Sequence, residues 1–186
     1  MRLCDFKELA NIQVSNNCLK RFMKDLKSKL FNIWSDYWKS ELSEMSQGKL
    51  RTYCIVKPSL NFENYLNVIE NCNYRSAVTK LRISAHNLPV ESGRYKKIPL
   101  VNRTCNLCNL NLVGDEFHYF FECKHIDIET VRYDFLCKLY NINENFKKFD
   151  KRSLFLYILS MNDNSILYIT SCFCYKILKS VKNNCN

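Results

Sequence analysis

Cys105, Cys108, His118 and Cys123 fall in the pattern C-x2-C-x9-H-x4-C. Two residues between the first pair of cysteines let both thiolates point at one ion from a tight knuckle, and backbone N–H groups of the loop can stabilise the sulfur charge. The nine-residue spacer leaves room for a short β-hairpin, turning at Gly114-Asp115, that brings the His118 imidazole back to the knuckle. Four protein ligands leave no open coordination position, so the pattern predicts a structural Zn2+ rather than a catalytic one. Asp115 and Glu116 are then expected to shape the turn or to orient His118 through its other ring nitrogen. Three other readings compete: the cysteines as small core residues, Cys105 and Cys108 as a redox pair, and His125 in place of His118 as the ligand. The redox reading lacks a surrounding βαβ pattern.

Little else in the chain could do chemistry. Three histidines, no Gly-rich phosphate loop, no nucleophile elbow and no carboxylate cluster lead us to expect a protein that is not an enzyme.

Charge points instead to binding. The 186 residues carry 28 Lys and Arg against 18 Asp and Glu, a formal net charge of +10, which makes polyanions plausible partners. The excess is locally stronger between Asn73 and Thr104. There Arg75, Lys80, Arg82, Arg94, Lys96, Lys97 and Arg103 face one acid, Glu91. A helix over Tyr74 to Leu88 would bury Ala77, Leu81, Ser84 and Leu88 and turn Arg75, Thr79, Arg82 and His86 to the other side. Pro89 is expected to stop it, Gly93 to turn the chain, and Arg94 to Thr104 to form an extended connector held open by Pro99. The polar helix face and the connector would make a cationic groove for RNA or DNA phosphates, with Tyr95 stacking on an unpaired base and little sequence preference. The competing role for Arg75 and Arg82 is pairing with Glu63, Glu70 or Asp134 inside the fold.

These residues must be positioned by helices. Only three Gly and three Pro punctuate the chain, which argues for long helices. Phe22, Met23, Leu26, Leu30, Ile33, Trp34, Tyr37 and Trp38 recur at three- and four-residue steps from Leu19, predicting an amphipathic helix to near Gly48. After a break at Pro58, Phe62, Tyr65, Leu66 and Ile69 mark a shorter one. Three follow Cys123: Ile128, Val131, Phe135 and Leu139 mark the first, Leu154 to Leu159 the second, and Ile166, Ile169, Phe173, Ile177 and Val181 the third. Asp150 and Asn164 stand as N-caps. The expected fold is mainly α, with amphipathic helices around a small zinc knuckle that includes a short β-hairpin. Its segments are 1–18 without an assigned structure, a helical basic region 19–104, a zinc module 105–125 and C-terminal helices 126–182.

Eleven cysteines, an odd number at irregular spacing with no apolar leader after Met1, fit a reducing intracellular compartment, nucleus or cytoplasm, better than a disulfide scaffold. Cys4, Cys18, Cys54, Cys72, Cys137, Cys172, Cys174 and Cys185 are expected as ordinary small core residues. No apolar run reaches the roughly 18 residues needed to span a bilayer, so no membrane partner is expected.

Four stretches occur in an order that resembles one family. They are Lys49-Leu50-Arg51-Thr52-Tyr53, Tyr74 to His86, Glu91-Ser92-Gly93-Arg94-Tyr95, and the Cys-Cys-His-Cys set with Asp115-Glu116-Phe117-His118-Tyr119-Phe120. Together they look like the carboxy-terminal region of non-LTR retrotransposon reverse transcriptases, over roughly Trp34 to Leu136, with a looser likeness after Leu154. The resemblance implies zinc on Cys105, Cys108, His118 and Cys123, and a grip on template RNA or target DNA during target-primed reverse transcription. Two departures matter. The family continues Cys-Pro-x-Tyr after its last cysteine, whereas Lys124-His125-Ile126 follow Cys123. The chain also has no adjacent Asp pair and no room for a palm domain with two metal ions, so no polymerase activity is expected of it. The expectation is a detached or truncated tail: a non-catalytic, zinc-stabilised nucleic-acid-binding module. The alternative is a zinc-dependent protein–protein interaction domain. In that reading the Trp34 and Trp38 helix or the last helix meets a partner, which in the element could be the missing polymerase domain.

Overall fold

The computed structural model describes residues 16–45, 50–57 and 59–184, and the described residues are mainly helical. The chain divides into two units, Met1–Glu41 and Leu42–Asn186. Helix α1 (Asn16–Met45) carries the heptad-like stripe and supplies the described residues of the first unit. Its apolar residues remain exposed, Leu26 at 38% and Ile33 at 64%. The expected segment 1–18 and the break at Pro58 lie largely outside the described residues.

The second unit holds α2 (Arg51–Val56), α3 (Tyr65–Val68), α4 (Cys72–Arg82), α5 (Pro89–Tyr95), α6 (Glu116–Phe121), α7 (Ile126–Ile142), α8 (Lys151–Ser160) and α9 (Asn164–Asn183). Single 3-10 turns cover Leu100–Asn102 and Glu144–Lys148. Helix α9 is the axis of the core and packs against both α4 and α7. Its buried stripe Ile166, Phe173, Cys174, Ile177 and Val181 follows the sequence periodicity. Phe173 stacks on Phe135 of α7 at 4.2 Å and meets Phe120 of α6 edge-on at 4.8 Å. Phe120 in turn meets Phe155 of α8 edge-on at 5.3 Å. These four rings tie four helices together, each contributing roughly 1.5–3 kcal/mol by burial. They also fix the short helix α6, which carries His118.

Caps set the helix starts. Asn71 accepts the Asn73 and Tyr74 N–H groups, and Asp150 those of Arg152 and Ser153, as expected of that residue. At α9 the cap is Asp163, one residue before the expected Asn164, because its carboxylate accepts the Ile166 N–H. The ends differ more from expectation. Helix α4 stops at Arg82 because Ser84 turns left-handed (φ 52°), with Ala85 N–H donating to Lys80 O at 2.8 Å and Ser84 N–H to Leu81 O. Pro89 opens a helix where a helix stop and a turn at Gly93 were expected; its fixed φ and missing N–H suit a first-turn position. That helix ends in the same way as α4: Lys97 has φ 57°, Ile98 N–H donates to Gly93 O at 2.8 Å and Lys97 N–H to Arg94 O at 3.1 Å. The Arg94 to Thr104 connector therefore starts in the last residues of α5, turns at Lys96 and Lys97, and passes an extended Pro99 into a 3-10 turn, so it is not extended throughout.

No strand occurs among the described residues. The expected hairpin is reduced to one antiparallel bridge, Thr104 with Val113, flanked by Cys105 N–H to Leu112 O at 2.8 Å and Gly114 N–H to Arg103 O at 2.9 Å. The turn lies before Asn111 (φ 54°), not at Gly114-Asp115. Gly114 has another use: a Cβ there would sit 2.8 Å from Pro89 Cγ and 3.1 Å from Cys105 Cα, so its absence lets α5 approach the knuckle.

Candidate metal centre

Helix α6 places His118. Its N-cap Asp115 accepts the His118 N–H at 2.8 Å, so this carboxylate starts a helix instead of shaping the expected hairpin turn. The chain then folds back tightly, with Cys123 N–H donating to His118 O at 2.8 Å, so that Cys123 returns to the same spot. The knuckle arrives from the other side through the bridge at Thr104.

The ligand atoms of Cys105, Cys108, His118 and Cys123 all lie within 4.8 Å of one another. Cys105 Sγ is 3.9 Å from Cys123 Sγ, and Cys108 Sγ is 3.4 Å from His118 Nε2. A tetrahedral ion with metal–sulfur bonds of about 2.3 Å separates two sulfurs by about 3.8 Å. The donor set and the spacing fit one metal ion. His125 is not part of the cluster: its ring Nδ1 lies 3.9 Å from Asp127, and it stands at the N-cap of α7.

The surroundings are arranged for thiolates. Leu107 N–H reaches Cys105 Sγ at 3.4 Å, as the knuckle geometry requires, and the Tyr119 hydroxyl lies 3.4 Å from the same sulfur while donating to Asn106 Oδ1 at 3.2 Å. Hydrogen bonding from Cys123 holds the Cys105 thiol far below the usual thiol range, and the same contact pushes Cys123 up. Burial opposes a charged His118, but the Cys105 and Cys108 sulfurs beside it outweigh burial and raise its pKa. His118 Nδ1 points away from the sulfurs and lies 3.5 Å from the Glu122 carboxylate. Glu122, not Glu116, therefore stands where a carboxylate orients a ligating imidazole.

One residue that supports this arrangement was not anticipated. Arg132 of α7 donates from Nε to Phe120 O at 2.8 Å and from Nη2 to Cys123 O at 2.7 Å, gathering the carbonyls at the end of α6. Nothing in the sequence marks it, since it stands in α7 like any surface arginine. Glu116 was expected to shape the turn or to orient His118 and instead serves a separate cluster. It is 3% exposed and meets Arg51 Nη2 at 2.7 Å, His86 Nε2 at 2.8 Å, and the Thr52 and Ser84 hydroxyls at 3.3 Å. Arg51 also bridges to the fully buried Glu91. Burial alone would raise the Glu116 pKa, but His86 and Arg51 outweigh it and bring the carboxyl down to about 2.

The structure separates the candidate nucleic-acid residues into two groups. Arg82 is 4% exposed, pairs with Glu63 at 3.0 Å and donates to Leu159 O, so it is a structural residue rather than a surface cation. Arg75 donates to Ile69 O at 2.9 Å, and Arg103 to Ile98 O at 2.8 Å and Val90 O at 3.0 Å. Arg94 pairs with Glu91 at 2.9 Å and lies over the Tyr95 ring at 4.4 Å. Lys80, Tyr95, Lys96 and Lys97 are exposed. With α4 ending at Arg82 and His86 buried, the expected run of Arg75, Thr79, Arg82 and His86 along one open face does not form. Of the remaining described cysteines only Cys174 is a core residue; Cys18 and Cys72 are exposed and Cys54, Cys137 and Cys172 are half-buried.

The second unit therefore contains a cluster of three sulfurs and one imidazole close enough together to bind a metal ion. No family model, curated protein or solved structure matches the chain. No helix among the described residues is long and apolar enough to cross a membrane.

Proposed function

We propose that the protein is a non-catalytic nucleic-acid-binding module stabilised by a structural Zn2+, akin to the carboxy-terminal tail of a non-LTR retrotransposon reverse transcriptase. The observation that carries this reading is the clamp between the metal cluster and the exposed cations of α5. Val90 N–H donates to Gly114 O at 3.2 Å, Arg103 ties Val90 O to Ile98 O, and Pro89 rests on Gly114. Metal binding that orders Cys105 to Cys123 thus orders the α5 end, where Lys96 and Lys97 project and Tyr95 is 65% exposed. Three thiolates and one imidazole select zinc over harder cations, and four protein ligands leave no room for a substrate. Lys96 and Lys97 engage phosphates, and Tyr95, with Arg94 against its ring, offers a surface for an unpaired base.

The test is fluorescence anisotropy with labelled single-stranded RNA and DNA over a salt series. Zinc-loaded protein should bind with a steep salt dependence, and chelation should weaken binding. Lys96→Ala with Lys97→Ala should lower affinity without altering the fold. Binding by none of these forms sinks the proposal.

The exposed apolar face of α1 favours a second reading, a zinc-dependent protein-interaction domain. A self-associating protein indifferent to RNA would support it.

A further inference from the structure

Two adjoining cavities, of about 400 and about 380 Å3, lie between α4 and α9 and share Lys80, Leu178 and Lys182 as lining. The first continues past Ala85, His86 and Asn87, and the second past Asn73, Ser76, Tyr175, Lys179 and Asn183. Together they form one groove across the second unit, on elements that the connector cations do not occupy. Its lining includes no acidic side chain. Lys80, Lys179 and Lys182 are exposed, and no carboxylate lies within ion-pair distance of them among the described residues. This distinguishes them from Lys57, Lys124, Lys138, Lys147 and Lys176, each of which has an acidic partner. The nearest acid to the α9 end, Asp127, is engaged by Asn184 at 3.1 Å.

Beneath the lysines the surface is apolar. Ala77 and Leu178 line the groove, and Tyr175 packs against Tyr74 at 5.3 Å while Lys179 lies 6.0 Å from its ring. A channel with cations at its rim and an apolar, partly aromatic floor is complementary to single-stranded nucleic acid, whose phosphates and bases lie on opposite sides of the chain. The cations are lysines rather than arginines. Their compact charges on flexible stems can follow phosphates of variable position, and the apolar, partly aromatic floor suits bases better than the polar backbone of an acidic peptide.

We infer that the α4–α9 groove is a binding channel for single-stranded nucleic acid, in which Lys80, Lys179 and Lys182 hold consecutive phosphates. This rests on the nucleic-acid reading above and adds a site to it. Because all three side chains are exposed, Lys80→Gln, Lys179→Gln and Lys182→Gln together leave the core and the metal site untouched.

The experiment is anisotropy of a labelled oligouridylate against zinc-loaded wild type, this triple variant, and a control, Lys20→Gln with Lys24→Gln and Lys27→Gln on α1, that removes the same charge. The groove variant should lose at least about tenfold in affinity, and its log–log salt slope should flatten by about 2, since each phosphate contact on a single strand contributes about 0.7. Wild-type affinity in the groove variant, or an equal loss in the control, overturns the groove while leaving the nucleic-acid reading intact. Equal binding of polyglutamate and oligouridylate identifies an acidic protein segment as occupant and overturns the assignment. Failure of wild type to bind any oligonucleotide overturns both.

Discussion

Helix α6 separates two polar clusters that solve the same problem in opposite ways. At its first residue, Glu116 is buried, yet every charge around it is answered from within the chain by Arg51, His86, Thr52 and Ser84. One half-turn later His118 joins three cysteines through long contacts, 3.4 Å from Cys108 Sγ to His118 and 3.9 Å from Cys105 Sγ to Cys123 Sγ. Sulfur is a poor hydrogen-bond partner, so that packing gains little by itself. The first cluster is complete as a protein structure. On the proposed reading the second gains its stability from an ion, which would bond to three thiolates and an imidazole.

The largest difference between the clusters should appear on metal removal. Loss of a structural zinc is worth on the order of the protein's whole net stability, about 5–15 kcal/mol. Chelation, or Cys123→Ala, should therefore lower the thermal midpoint followed by circular dichroism by at least about 10 °C. No change on chelation breaks the comparison. Glu116→Gln should be milder but still severe, about 3–5 kcal/mol, because Arg51 keeps its charge and loses a buried partner. Its loss should persist in zinc-loaded protein, as expected of a cluster that owes nothing to metal.

Acid sharpens the same contrast. The folded Glu116 pKa, about 2, lies below its ordinary value of 4.5. Its contribution is thus complete above about pH 4.5 and is lost as pH falls toward 2, a loss of about 3 kcal/mol. Denaturant midpoints over this range should show a decline that Glu116→Gln flattens. Arg132→Gln, which frees the carbonyls of Phe120 and Cys123 at the metal end, should cost about 2 kcal/mol and accelerate zinc release to a colorimetric chelator. An unchanged release rate would confine Arg132 to helix packing. The smallest effect should be a gain: Lys97→Gly removes a left-handed lysine and should stabilise by about 0.5–1 kcal/mol in urea titrations.

Much of this architecture was legible in the sequence, for definite reasons. The ligand pattern is local and short, so spacing marked the three cysteines, while the choice between His118 and His125 waited on the fold, which gathers His118 with them and sets His125 at the N-cap of α7. Helix α9 carries strong apolar periodicity, α8 an unbroken apolar run and α7 the spaced Ile128, Phe135 and Leu139, and the structure buries most of these residues. The region from Arg82 to Gly114 was misread because its punctuation is unusual. Ser84, Lys97 and Asn111 take left-handed positions where glycine is the familiar signal, so helix ends and the knuckle turn carried no mark. The scarcity of glycine suggested long helices, yet α2, α3, α5 and α6 span only 6, 4, 7 and 6 residues. The arginines misled for a related reason. For Arg82 the sequence offered both a surface cation and a partner of Glu63, and the fold forms the pair; Arg103 looks like a surface cation in a basic stretch but donates to the Val90 and Ile98 carbonyls.

The most direct test of the central claim is X-ray absorption at the zinc edge on protein purified without chelator, with metal content measured on the same sample. One zinc per chain is expected, with three sulfurs at about 2.3 Å and one nitrogen at about 2.0–2.1 Å. A metal content near zero, or a shell dominated by oxygen, would contradict it.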